Sequence, residues 1–303
     1  MSQSIQAVGA GPVWGWRLVA FTAAAFVCLP LVSTLWLATS STGEFWTHLW
    51  STVLPRYVVT TLELMAGTGI LTALFGLVSA WLVVCFDFPG RRFFSWALLL
   101  PFAFPAYVIA FVYTDFLEYA GVFQSALREI FGWDSPGDYW FPEIRSLGGA
   151  TAMFSLVLYP YVYLTTRAAL LEQSGNLFLA SRSLGRGYLG TLWSVLLPAV
   201  RPGLAVGLAL VLMETLNDFG TVDYFAVQTL TAGLFDTWLN YGDVGGAAQI
   251  AISMVTFALL LIYLEQFSRR KVRVYQSRTR SPIQRARLNT VQSAWAILFA
   301  LHW

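Results

Sequence analysis

The chain has 303 residues, of which 57% are hydrophobic, 16% aromatic and only 11% charged, with a formal net charge of +2. Soluble domains carry about 25% charged residues, so this chain lacks the charge to cover a water-facing surface of its size. Its long unbroken apolar runs also exclude a β-barrel, whose strands alternate apolar and polar over roughly ten residues; the fold class is an all-α polytopic membrane protein.

Six apolar segments reach the length of about 20 residues that a bilayer crossing requires: 17–39, 57–84, 93–114, 147–168, 200–219 and 247–266. The first follows Arg17 without the basic stretch of a signal peptide and reads as an uncleaved helix. A seventh run begins near Val291 and reaches Trp303, too short to cross. Thirteen Trp suit belts at the membrane surface. Basic residues collect on the cytoplasmic side. With the N-terminus inside, fifteen Lys and Arg fall inside and only Arg56, Arg128 and Arg145 outside. Segment 115–146 then lies outside with six acids and two arginines, as does 218–243 with four Asp and no base.

Between the fourth and fifth spans, on the expected cytoplasmic side, lies LASRSLGRGYLGTLWSVLLP, residues 179–198. The spacing predicts a short helix over 177–184, with Leu177, Ala180, Ser181 and Leu184 on one face. Gly185 is placed to end it, and Pro198 marks the start of the fifth span. From spacing alone the segment could equally be a linker lying on the membrane surface.

The same residues resemble the cytoplasmic signature of binding-protein-dependent ABC importer permeases. That signature is Glu-Ala-Ala, three residues, Gly, nine residues, Ile, one residue, Leu-Pro. Here it reads Leu179-Ala180-Ser181, then Gly185, Val195 and Leu197-Pro198 at the same separations, with Leu179 in place of Glu and Ser181 in place of the second Ala. Residues 58–83 and 213–240 resemble the corresponding stretches of ferric iron importer permeases. The resemblance implies a six-helix permease unit plus a partial seventh helix, like the N-terminal half of a fused two-unit permease. It divides the chain into an N-terminal helix and periplasmic loop (1–56), a permease transmembrane domain (57–268) and a basic linker opening a second unit (269–303). It further implies an ATPase-coupling helix carrying Ala180, Ser181, Arg182, Leu184 and Gly185, with Pro198 closing the motif. The implied setting is a bacterial inner membrane, and the implied partners are a separate ABC ATPase, a periplasmic substrate-binding protein, and a second permease half or homodimer partner. By the same resemblance the substrate is ferric iron, with polyamine and thiamine importers as related alternatives.

ATP and its Mg would belong to the ATPase subunit, since the only Lys, Lys271, lacks a glycine cradle before it. His48, His302, Cys28 and Cys85 have no metal-ligand spacing, so neither a metal nor another cofactor is expected on this chain. No nucleic-acid partner is expected either. Two acids fall within apolar spans, Glu63 and Glu214, where polar groups line cavities or bond between helices. Glu63 reads as interhelical bonding. Glu214, Asn217, Asp218 and Thr221 follow i, i+3, i+4, i+7 and would share one polar helical face. They either line the translocation path or hold helices together; a rival reading makes Glu214 and Asp218 the acid/base pair of a membrane-embedded enzyme. Gly203 and Gly207 read as close helix packing. The basic run of 269–287 reads as a topology anchor that could also meet anionic membrane lipid.

Overall fold

The computed structural model describes residues 13–40, 51, 53–173, 175–270 and 285–301. His48, Lys271, His302 and the linker over 271–284 lie outside the described residues. In chain order the elements are α1 (Val13–Ala38), α2 (Leu54–Cys85), β1 (Phe86–Asp87), α3 (Arg91–Ala97), a 3₁₀ turn (Leu100–Ala103), α4 (Ala106–Leu117) and α5 (Val122–Phe131). Then come α6 (Leu147–Glu172), α7 (Gly175–Ser183), α8 (Tyr188–Thr191), a π turn (Leu192–Leu196) and α9 (Leu197–Asn217). The chain continues through α10 (Gly220–Tyr224), α11 (Leu230–Phe235), a second π turn (Asp236–Asn240), α12 (Val244–Arg270), β2 (Ala286–Arg287) and α13 (Thr290–Ala300). Among the described residues six helical stretches are long and apolar enough to cross a membrane: Trp14–Ala38, Leu54–Cys85, Ala106–Phe131, Leu147–Glu172, Tyr188–Asn217 and Val244–Phe267. The protein is an all-α, six-span membrane protein.

Its centre is the packing of α2 and α9 against α6. Small residues let the backbones meet. A Cβ on Gly76 of α2 would stand 2.6 Å from Val162 Cβ and 2.8 Å from the Tyr163 amide nitrogen. A Cβ on Gly207 of α9 would stand 2.8 Å from Val162 Cα, and one on Gly203 would stand 2.7 Å from Thr165 O. The Gly203/Gly207 pair therefore seats α9 on α6, as its spacing predicts. Some buried hydroxyls bond within their own helices, as Thr72 to Thr68 O at 2.7 Å and Ser155 to Thr151 O at 2.6 Å, which satisfies those polar groups away from water. By contrast α1 buries none of its apolar stretch. It lies along α12, where the Gln249 side-chain amide donates to Ala38 O at 2.8 Å.

The third crossing departs from the expected single helix over 93–114. Pro101 and Pro105 lack an amide proton, and Phe104, preceding Pro105, takes extended angles (φ −123, ψ 139). The apolar run is consequently divided into α3, the 3₁₀ turn and α4. The stretch also breaks after α4, where Glu118 is extended and Gly121 lies so close to the Asp115 and Phe116 carbonyls that a Cβ would stand 2.4 Å from the first. The following helix, α5, turns Gln124 inward, and its side-chain amide donates to Leu117 O at 2.7 Å.

The partial seventh helix is α13, N-capped by Asn289 in a reciprocal capping box with Gln292. It docks against α2, with Ala296 and Ala300 buried and the Phe75 and Phe299 ring centroids 6.3 Å apart. Just before it, β2 pairs in parallel with β1, Phe86 opposite Ala286 and Asp87 opposite Arg287.

Candidate functional site

At one end of the molecule α7 forms where the motif predicts a helix, and its termination is set by Gly185. Gly185 has φ +83, a left-handed conformation that only glycine adopts cheaply. Its amide donates to Arg182 O at 3.0 Å, and the Arg186 amide donates to Ser181 O at 3.3 Å. These two bonds make the Schellman end of a helix, satisfying carbonyls that would otherwise be orphaned.

The expected common face does not hold for Ser181. Ser181 is buried, its hydroxyl 3.0 Å from that of Thr191, so it ties α7 to α8. Arg182 also folds back on its own loop, lying over the Tyr188 ring at 3.9 Å and donating to Arg186 O at 2.9 Å. The surface is left to Ala180 and to Leu184, which is 82% exposed. Leu189 and Trp193 are likewise exposed nearby. Leu177 is in α7, with its side chain outside what the structure describes. Pro198 sits in the first turn of α9, directly after the π turn. There the Leu197 amide reaches back five residues to Leu192 O, the wider turn that accommodates the proline following it.

At the other end the predicted polar face is broken. Helix α9 stops at Asn217, because Asp218 is extended (ψ 127). Asp218 then accepts from the Thr221 amide at 2.7 Å and caps the first turn of α10. Burial pushes the Asp218 carboxyl above its ordinary range, and hydrogen bonds from the first turn of α10 partly oppose that shift. Thr221 is buried, whereas Glu214 and Asn217 are exposed. Glu214 accepts from the Tyr161 hydroxyl at 3.3 Å, and the Tyr161 ring meets Phe102 edge-on at 4.6 Å. The two carboxylates have different partners, Glu214 the Tyr161 hydroxyl and Asp218 the Thr221 amide. Glu63 is exposed on α2 and makes no interhelical bond among the described residues, contrary to the expectation from its sequence.

The grouping that replaces the helical face is a strip on three elements: Glu214 and Asn217 from α9, Tyr161 from α6, and Phe102 from the 3₁₀ turn. Phe104 and Tyr107 extend it as exposed rings, and Gly220 packs against Tyr107. Spacing along one helix could not reveal Phe102 or Tyr161, because they come from other elements. At the same end Arg145 joins two segments. Its guanidinium contacts Glu118 at 2.6 Å, donates to the Tyr224 hydroxyl at 3.2 Å and lies 4.6 Å over the Tyr224 ring. Among the described residues no group of three His, Cys, Asp or Glu side chains could hold a metal.

Comparison with known proteins identifies the architecture. The family model described as "Binding-protein-dependent transport system inner membrane component" matches residues 72–274. A probable sulfate transport system permease protein, cysT of Chlorokybus atmophyticus, is 28% identical over 261 residues, covering 82% of this chain and 86% of that protein. The Fe(3+)-transport system permease protein FbpB 2 of Haemophilus influenzae is 25% identical over 217 residues, covering 72% of this chain but 38% of that protein. The fold also matches that of a bacterial alginate ABC transporter solved in complex with an alginate pentasaccharide-bound periplasmic protein, with a TM-score of 0.65 at 17% identity over 84% of this chain and 94% of that one. The chain belongs to the family of binding-protein-dependent transport system inner membrane components: it is a multi-pass, non-enzymatic permease unit of an ABC importer.

Proposed function

We propose that this permease couples to its ATPase through α7 and its Schellman turn, and that the strip carrying Glu214, Asn217, Tyr161 and Phe102 lines the translocation path. The observation that carries the coupling reading is Leu184. A leucine 82% exposed at the tip of a glycine-terminated helix is an apolar group placed to enter a partner's groove. Ala180 beside it leaves room for close approach. Ser181, Arg182 and Pro198 act on the segment's shape, holding α7 to α8 and setting the exit into α9. Gly185 supplies the sharp stop.

The arginine bias supports an N-terminus inside the cell, with α7 cytoplasmic and the Glu214 end periplasmic, in a bacterial inner membrane. There a periplasmic binding protein delivers substrate, and a second permease half or a second copy closes the path opposite the strip. ATP and Mg act on the ATPase.

The substrate in this reading is a small inorganic ion. Ferric iron is favoured by the acids of 115–146 and 218–243 and by the likeness to the Fe(3+)-transport permease. A sulfate reading is favoured by the greater identity and coverage of the sulfate permease relatives. Uptake of radioactive ferric iron and of radioactive sulfate, by cells producing the whole transporter with and without this chain, separates the two. Chain-dependent uptake of iron supports the first reading, uptake of sulfate the second, and uptake of neither overturns both.

A further inference from the structure

At the α7 end of α2, a cavity of about 510 Å³ is lined by Asp87, Phe88, Gly90, Arg91, Arg92, Arg285 and Arg287. Four arginines thus line the cavity beside one carboxylate. Arg91 is partly spoken for, lying 3.4 Å from Asp87 and donating to Val83 O at 3.2 Å. Arg92, Arg285 and Arg287 are exposed. Residues nearly two hundred positions apart are brought together by the parallel pairing of β1 with β2, reinforced by the Leu288 amide donating to Asp87 O at 3.3 Å.

Like charges lining one cavity repel, so a neighbouring anion stabilises the arrangement. Guanidiniums present paired donors that match the oxygens of a phosphate. The cavity's place is equally specific. β1 follows immediately on the last residue of a membrane span, so the arginines stand at the level of the lipid headgroups.

We propose that this cavity binds a phosphate group and that the bound phosphate clamps the returning segment of 285–289 onto the α2–α3 corner. The site lies at the opposite end of α2 from the strip of Glu214, so it goes beyond the transport path. The phosphate belongs either to an anionic lipid headgroup or to a free phosphate in solution. The clamp fixes α13 against α2, because α13 follows β2 after two residues.

The test is hydrogen exchange of the peptide over 285–289 in the full chain, purified in detergent and stripped of lipid. Dioleoyl-phosphatidylglycerol, dioleoyl-phosphatidylcholine or inorganic phosphate is then added. Phosphatidylglycerol should slow exchange at Leu288 where phosphatidylcholine does not, identifying a lipid source; slowing by inorganic phosphate would identify a soluble one. Replacing Arg285→Gln and Arg287→Gln should weaken the effect about five-fold per arginine, the scale for a basic residue near an anionic surface. The pair Arg285→Lys and Arg287→Lys keeps the charge and should retain a weaker response, which separates lost binding from lost folding. No anion-dependent change in the unmodified chain, or an equal change in the glutamine variant, overturns the proposal.

Discussion

The two ends of the bundle are built on opposite plans. The turn from α7 to α9 leaves Leu184, Leu189 and Trp193 exposed, with a buried polar link between Ser181 and Thr191. The return from α9 to α12 is instead closed by bonds into the bundle, although Trp238, Leu239 and Tyr241 stay exposed. The Leu230 amide donates to Thr61 Oγ1 at 2.9 Å, Thr231 Oγ1 donates to Leu216 O at 2.5 Å, and Phe219 stacks on Phe235 at 4.0 Å. Segments of similar length thus leave the membrane at both ends, both with exposed apolar side chains, but the second is tied to α2 and α9 by buried hydrogen bonds. An exposed leucine at the tip of α7 is what the proposed coupling contact requires, while the α9–α12 return is held to the bundle.

The largest effect should come from disturbing the closed end. A Cβ at Gly233 would stand 2.2 Å from the Tyr57 ring, whereas one at Gly190 meets nothing nearer than Arg186 Cβ at 3.8 Å. We expect Gly233→Ala to destabilise the protein by about 1–3 kcal/mol, the cost of overpacking, and Gly190→Ala to be near neutral. Thermal unfolding in detergent compares them, and equal melting temperatures would erase the contrast between the ends. Next, Ser181→Ala leaves a buried hydroxyl on Thr191 short of a partner, with an expected cost of about 1 kcal/mol. The loss should be local, so protease cleavage within 179–190 should rise while global melting barely moves. A fall in global melting would show that the α7 turn is as firmly built as the opposite end.

A smaller effect belongs to Glu214. Glu214→Gln keeps the size and most hydrogen bonding while removing the charge. On the path reading, uptake falls several-fold while stability changes by less than about 0.5 kcal/mol, as for other surface substitutions. Unchanged uptake would remove Glu214 from the path. The smallest effect concerns pH. Because burial raises the Asp218 carboxyl in the folded chain, this group's stabilising contribution is full below the ordinary aspartate range. It is lost as pH rises through the raised value. Asp218→Asn can still accept from the Thr221 amide but does not ionise. It should flatten the dependence of melting temperature on pH in that window, and an unchanged slope would refute the assignment.

Much of this fold is legible in the chain because lipid requires long apolar runs; four of the six crossings fall within a few residues of their expected places, and the fifth ends as expected but begins twelve residues earlier, at Tyr188. The third was misplaced although Pro101 and Pro105 stand in plain view. A hydropathy reading weighs them as mildly apolar, while their geometry breaks the helix. The site was less legible. A period of 3.6 carried Glu214, Asn217, Asp218 and Thr221 onto one face only if the helix continued. Asp218 ends it by bonding to the next turn, a choice made by a side chain rather than by hydrophobicity. Ser181 likewise turns inward for Thr191, ten residues on, and the pairing of Arg287 with Asp87 spans two hundred positions. Such contacts leave no local pattern.

The exposed tip of α7 is central to the proposed coupling. The direct measurement is ATPase co-purification and ATP-driven uptake for Leu184→Asp, with membrane insertion checked alongside. A carboxylate buried unpaired in a partner's groove is strongly destabilising, on the order of 3–5 kcal/mol. The variant should therefore insert normally, lose the ATPase and lose uptake. Normal ATPase binding with normal uptake in Leu184→Asp would contradict the docking role of α7.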